Sequence, residues 1–278
     1  MTDESEPLFL LGPGFSATAL GQLWPGDVYG SVRSETSRVA LEQTGIIPVP
    51  IDDGGALHDA TNRAHVVVSV PPSETGCPAH ELIGEYAQSA RSITYLSTTG
   101  VYGDLGGGWA MEWTRPNPQS DRAERRVRAE TLWRQSFMDL KIARLPGIYG
   151  PGRSALDRLR SGNARRIVKP GQVFSRIHVE DIARGLYAMI KNEVTGVFHI
   201  CDDLAAPPQD VIAYGADLLG IGAPPEIAFE DANLSAMGQS FYGECKRVSN
   251  ARLKAATGWR PVFPSYKEGL AAILAEEA

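Results

Sequence analysis

The stretch from residue 7 to 20, PLFLLGPGFSATAL, constrains the fold more than any other part of the chain. Leu8 to Leu11 is a short apolar run of the kind a fully buried parallel strand needs, and Gly12-Pro13-Gly14 leads from it directly into a helical pattern. Strand, tight turn and helix in this order open a dinucleotide-binding unit. Gly12 permits the sharp turn, Gly14 lets a pyrophosphate approach the backbone, and the small Ala17 lets the helix pack close to the strand. The helix start, from Phe15, offers free N–H groups and the positive end of its dipole to phosphates. Glycine turns also make plain strand-to-helix corners, so the motif needs support from the rest of the chain.

A chain of 278 residues with 43% hydrophobic and 22% charged residues can bury a substantial core in one large α/β unit. Its net charge of −6 argues against a nucleic-acid or anionic-membrane surface, and no apolar run approaches a membrane span. The acidic start MTDESEP does not resemble a signal peptide, so a cytoplasmic protein is expected. Cys77, Cys201 and Cys245 have no metal-ligand spacing and form an odd set, which points to reduced thiols and no metal site. The expected partner is a small-molecule substrate, with a homodimer left open as the assembly.

Val28 to Val32 is the next β-type run, about 20 residues after the glycine turn, where such a unit places the residue that reads the adenosine ribose. Here that residue is Arg33. A guanidinium suits a 2′-phosphate, so NADP is favoured over NAD, with Arg38 as a helper; the bland alternative is a pair of solvated surface arginines. Apolar or β-branched runs at residues 46–51, 65–70, 92–96, 140–145 and 196–201 alternate with helix-like segments. The predicted architecture is an α/β, Rossmann-type, doubly wound and mainly parallel sheet. Residues 1–152 form the NAD(P)-binding core, and residues 153–278 supply shared core elements and a small C-terminal substrate-binding region.

Four further segments extend the pattern: Ser97-Thr98-Thr99-Gly100-Val101-Tyr102-Gly103-Asp104; Pro118-Gln119-Ser120 ahead of a helix with Glu130; Arg144 to Gly152 (RLPGIYGPG); and Ile177-His178-Val179-Glu180-Asp181. In order and spacing they resemble the extended short-chain dehydrogenase/reductase family, the NAD(P)-dependent epimerases and dehydratases acting mainly on nucleotide sugars. The resemblance implies that Asp52 contacts adenine and that Thr98 stands at the catalytic Ser/Thr position. It also exposes a gap. With Glu130 in register, the family's Tyr-x-x-x-Lys pair falls on Arg122 and Arg126. A guanidinium cannot act as a general base, so Arg122 would serve as a charge beside the reacting centre, whereas Arg126 can still hold a ribose hydroxyl or a phosphate. Tyr102 is the nearest phenol that could replace the missing one, although the family's tyrosine at that position is usually structural. Phe174 stands where nucleotide-sugar enzymes carry a pyrophosphate-gripping arginine, and Arg176 lies two residues further on.

The expected site is therefore Thr98, Arg122 and Tyr102 for catalysis, with Gly12, Gly14, Phe15, Arg33, Asp52 and Arg126 for the cofactor. Glycines 106–108 and Trp109 to Trp113 are read as a lid over the strand ends or a packed surface loop, and His178 as a buried structural residue. Two classes of function remain open: an oxidoreductase or epimerase/dehydratase-like enzyme acting on a small, anionic substrate, or a non-catalytic NAD(P)-sensing protein.

Overall fold

A computed structural model describes residues 6–277. The amino-terminal half alternates strand and helix: β1 (Leu8–Leu11), α1 (Phe15–Leu23), β2 (Val28–Val32), α2 (Glu35–Glu42), β3 (Ile47–Pro50), α3 (Gly54–Thr61), β4 (His65–Val68), α4 (Pro78–Ile83) and β5 (Ser92–Thr98). There follow β6 (Trp109–Ala110), α5 (Asp121–Ser136), β7 (Lys141–Leu145), β8 (Gly147–Tyr149), α6 (Ala155–Arg160), β9 (Arg166–Val168), β10 (Arg176–His178), α7 (Val179–Lys191) and β11 (Gly196–His199). The chain closes with α8 (Pro208–Leu218), β12 (Glu226–Ala228), α9 (Ala236–Tyr242), β13 (Arg247–Val248), α10 (Ala251–Thr257) and α11 (Tyr266–Glu276).

Seven strands form one parallel sheet in the order β11-β7-β5-β4-β1-β2-β3. The order reverses between β1 and β4, and the crevice at that switch point is where such sheets take ligands. Period-two alternation sends Leu8 and Leu10 into the core on one side of the sheet, and Phe9 and Leu11 into the core on the other, all four fully enclosed. One side is covered by α1, α7 and α10, and the other by α3, α4 and α5. The short parallel pairs β8/β10 and β9/β12, with α6, α8, α9 and α11, build a lobe beyond the carboxyl ends of the strands.

Two local readings are sharpened. Of the helix-like segments, the one expected over residues 79–90 stops at Ile83 and continues as a 3-10 turn, Gly84–Ser89. Of the two readings of residues 106–113, the pairing of β6 favours the packed loop. Trp109 and Ala110 pair with Arg247 and Val248, and Ala110 and Glu112 are buried, while the Trp109 and Trp113 side chains stay exposed.

Candidate functional site

Gly12 has φ +83°, and a Cβ there would stand 2.6 Å from Val70 Cγ2, so neither the backbone conformation nor the space admits another residue without strain. Its N–H donates to Ser31 Oγ at the end of β2, 2.8 Å away. Gly14 caps α1 without any side-chain acceptor, and a Cβ added there would meet nothing nearer than Gly12 O at 4.0 Å. The first N–H groups of α1 therefore face an open approach. Ser16 and Ala17 are buried behind the turn, while Phe15 is exposed at its mouth. These features fit a pyrophosphate.

The order β1-β2-β3 sets Arg33 and Asp52 in line with the turn at the same sheet edge, both exposed. Arg38 forms a surface ion pair with Glu35 one turn away on α2 (3.3 Å). Sequence reasoning missed Arg153. The Gly150-Pro151-Gly152-Arg153 turn lies against α1, where a Cβ at Gly150 would stand 3.0 Å from Phe15 Cζ, and the Arg153 guanidinium sits 5.7 Å from the Phe15 ring centroid. A second cation thereby joins the mouth of the glycine turn.

On α5, Arg126 is half-buried and held from beneath: Nη1 donates to Leu96 O (2.8 Å) and to Tyr95 Oη (3.1 Å). Arg122, one turn earlier, is exposed. Thr98 ends β5, and its Oγ1 accepts from Gly100 N at 3.1 Å, capping the short helical turn that follows. Arg126 and Thr98 therefore both belong to the carboxyl end of β5.

Tyr102 does not belong to this surface, which corrects its assignment as a substitute acid. It is fully buried, and burial pushes its hydroxyl up to about 12. Arg144 Nη1 donates to its oxygen (2.7 Å), and the hydroxyl in turn donates to His199 Nε2 (2.5 Å). His199 Nδ1–H donates to Ser249 O (2.9 Å), which fixes the neutral tautomer. Arg144 also grips Glu130 through Nε (2.9 Å) and Nη2 (2.6 Å), while Ser97 Oγ donates to Glu130 Oε1 (2.6 Å). Every polar group in this chain is spent inside the protein. The sequence marked Arg144 and Glu130 only as family matches; His199, part of a plain apolar strand pattern, carried no signal at all.

His178 is buried and hydrogen-bonded, as read. Its Nδ1 accepts from Glu180 N (3.3 Å), its ring packs between Tyr149 and Phe263, and burial lowers it to about 4. Asp104 Oδ1 accepts from Cys245 N (2.8 Å) and Gly106 N (3.1 Å), so the last residue of the V-Y-G-D segment fastens the C-terminal crossing strand to the loop after β5. A cavity of about 170 Å³ between the loop of residues 73–77 and Arg125, Arg128, Ala129 and Leu132 of α5 contains none of the residues named above as site candidates.

Sheet order, glycine turn and lobe together define a Rossmann-type protein with the architecture of the NAD-dependent epimerases and dehydratases, as the motif resemblance implies. A dTDP-glucose 4,6-dehydratase from Streptomyces venezuelae, solved with NAD and TYD bound, shares this fold with a TM-score of 0.74 at 17% identity, covering 97% of this chain and 96% of that one. The chain belongs to one family with a protein from Silicibacter pomeroyi that is described as a functionally unknown conserved protein: 39% identity, a TM-score of 0.90, and coverage of 98% of this chain and 99% of that one. It is also similar to a 3-diazoavenalumate denitrifying reductase from a Streptomyces species, 29% identical over 142 residues, a match that covers 46% of this chain and 45% of that one. No family model matches the chain.

Proposed function

We propose that the protein is an NAD(P)-dependent oxidoreductase that acts on a small anionic substrate and prefers NADP. The observation that carries this reading is the uncapped start of α1 at Gly14, with free N–H groups and clear space in front of them. Gly12, Gly14 and Phe15 would hold the pyrophosphate, Arg33 the 2′-phosphate, Asp52 the adenine, and Arg126, braced by Tyr95 and Leu96, the nicotinamide ribose. The bound nicotinamide would supply the hydride. Thr98 would orient the substrate, and Arg122 would offer a positive charge to an anionic group or to charge developing in the reaction. With Tyr102 enclosed and arginine in place of the tyrosine and lysine, no side chain named here can donate and accept a proton near neutral pH. The reading therefore favours a reduction whose proton comes from water or needs no enzyme acid, and the similarity to a protein named as a reductase agrees with it.

The enclosure of Tyr102 also favours a second reading, a non-catalytic NAD(P) sensor. Calorimetric titration with NADP and NAD, followed by NADPH oxidation assays over carbonyl compounds and nucleotide sugars, separates the two. NADP binding with turnover of any substrate supports the enzyme; tight binding with turnover at background across the panel supports the sensor; binding of neither cofactor at millimolar concentration removes both.

A further inference from the structure

The diphosphate of a dinucleotide carries two negative charges, and the start of α1 meets them with backbone N–H groups alone. Gly14 supplies no side-chain cap, and Phe15, Ser16 and Ala17 bring no charge. The arginines named above for the cofactor stand elsewhere: Arg33 follows β2, and Arg126 is fixed to the end of β5 through Leu96 O. One further cation reaches the glycine turn, and it comes from the first residues of the C-terminal lobe.

The turn Gly150-Pro151-Gly152-Arg153 is closed by two backbone hydrogen bonds, from Arg153 N–H to Gly150 O (3.0 Å) and from Gly150 N–H to Arg153 O (3.4 Å). It is wedged against α1 and the start of α7, since a Cβ on Gly150 would stand 3.0 Å from Phe15 Cζ and 2.6 Å from Val179 Cγ1. On the other side of Arg153, Ser154 opens α6 with a reciprocal cap, its N–H (2.7 Å) and Oγ (2.6 Å) both donating to Asp157 Oδ2. The Arg153 backbone is thus pinned from both sides while its side chain stays exposed, with the guanidinium 5.7 Å from the centroid of the Phe15 ring. Asp157, the nearest acid in the chain, is engaged by Ser154. Among the described residues, the Arg153 guanidinium has no ion pair and no hydrogen bond. A cation resting on a ring gives up none of its N–H donors, so all five remain for an anion. The ring that carries it belongs to the first residue of α1, whose own N–H faces the open approach at Gly14.

We infer that Arg153 is the cation of the diphosphate site: held on the Phe15 ring, its guanidinium faces the diphosphate from the side of the C-terminal lobe, opposite the N–H groups of α1. This deepens the proposed cofactor site and rests on a diphosphate being bound there. Both cofactors share the diphosphate, so Arg153 supports NAD and NADP alike, unlike Arg33. Because α6 follows directly and its Ala155, Leu156 and Leu159 belong to the core of the lobe, the contact also ties the lobe to the nucleotide. The test is calorimetric titration of the full chain with NADP, NAD and ADP, the last of which keeps the diphosphate and lacks the nicotinamide and the 2′-phosphate. Arg153→Ala is expected to weaken all three by about tenfold, about 1.4 kcal/mol, with the melting temperature of the ligand-free protein unchanged, and Arg153→Lys to recover part of the loss. Phe15→Leu is expected to weaken them severalfold, and the double variant to bind no more weakly than Arg153→Ala alone, because the ring acts through the guanidinium. A loss confined to NADP, an Arg153→Ala protein that binds as the parent does, or losses at Phe15 and Arg153 that simply add would overturn the inference and leave the cofactor reading in place. ADP binding that depends on Arg153, with no binding of NADP or NAD, would remove the cofactor reading and keep this one; binding of none of the three would overturn both.

Discussion

Arg122 and Arg126 lie one turn apart on α5, yet their surroundings make them different chemical tools. Arg126 is braced from below by a phenol and a carbonyl, which fixes its position and leaves it suited to holding one hydroxyl or phosphate; Arg122 stands in solvent and acts through its charge. If Arg33 reads the 2′-phosphate, Arg33→Ala should weaken NADP by about tenfold or more and leave NAD unchanged, about 1.4 kcal/mol for one lost charge-assisted contact; equal losses for both cofactors in calorimetry would contradict that role. Tyr102 makes the opposite prediction. Tyr102→Phe leaves Arg144 Nη1 and His199 Nε2 without their buried partner, so it should lower unfolding stability by about 1–3 kcal/mol in urea titrations while NADP affinity holds. An acid/base role would instead leave stability intact and abolish turnover.

At the scale of elements, the two glycines of the first turn do separable work. Gly12→Ala combines a positive φ with a close approach to Val70 and should lower the melting temperature by several degrees, whatever the cofactor. Gly14→Ala fits an extended backbone conformation and open space, so its melting temperature should match the parent in buffer, but the stabilisation that NADP gives the parent should shrink, because the methyl group occupies the phosphate approach. Thermal melts with and without NADP distinguish the pair, and an NADP shift as large in Gly14→Ala as in the parent would remove the turn from the binding site. The turn was legible in the sequence because everything it needs is local: an apolar run, two glycines and a helix start within ten residues or so. The strands were legible for the same reason. What joins Tyr102 to Arg144 and His199 was not, since those partners lie 42 and 97 residues away and only sheet order brings them together. The strap formed by β6 and β13 was hidden likewise, because glycines and exposed tryptophans look like a free loop until a strand well over a hundred residues later pairs with them.

Across the whole molecule, buried titratable groups impose opposing dependences on pH. His199 and His178 are both lowered from 6.5 to about 4 by burial, and His199 is further committed to the neutral form because Nδ1 donates to Ser249 O while Nε2 accepts from Tyr102. A folded-state value below the unfolded one means that the unfolded chain binds more protons between these limits. Each histidine therefore contributes stability that is fully present above pH 6.5 and is lost as the pH falls toward 4, on the order of 3 kcal/mol apiece. Asp181 has the other sign. Burial raises it from 3.8 to about 6, against the pull of two backbone donors, Val262 N (2.6 Å) and Phe263 N (3.0 Å), so its contribution is largest at low pH and is lost as the pH rises to 6. Because these contributions offset one another in the parent, single variants are the sharper measurement. In urea titrations between pH 4 and 6.5, the stability gap between the parent and His199→Gln should narrow as the pH falls, whereas the gap between the parent and Asp181→Asn should narrow as the pH rises. Parallel behaviour of the two variants, or gaps that do not move with pH, would mean that these groups titrate in the folded protein as they do in the unfolded chain.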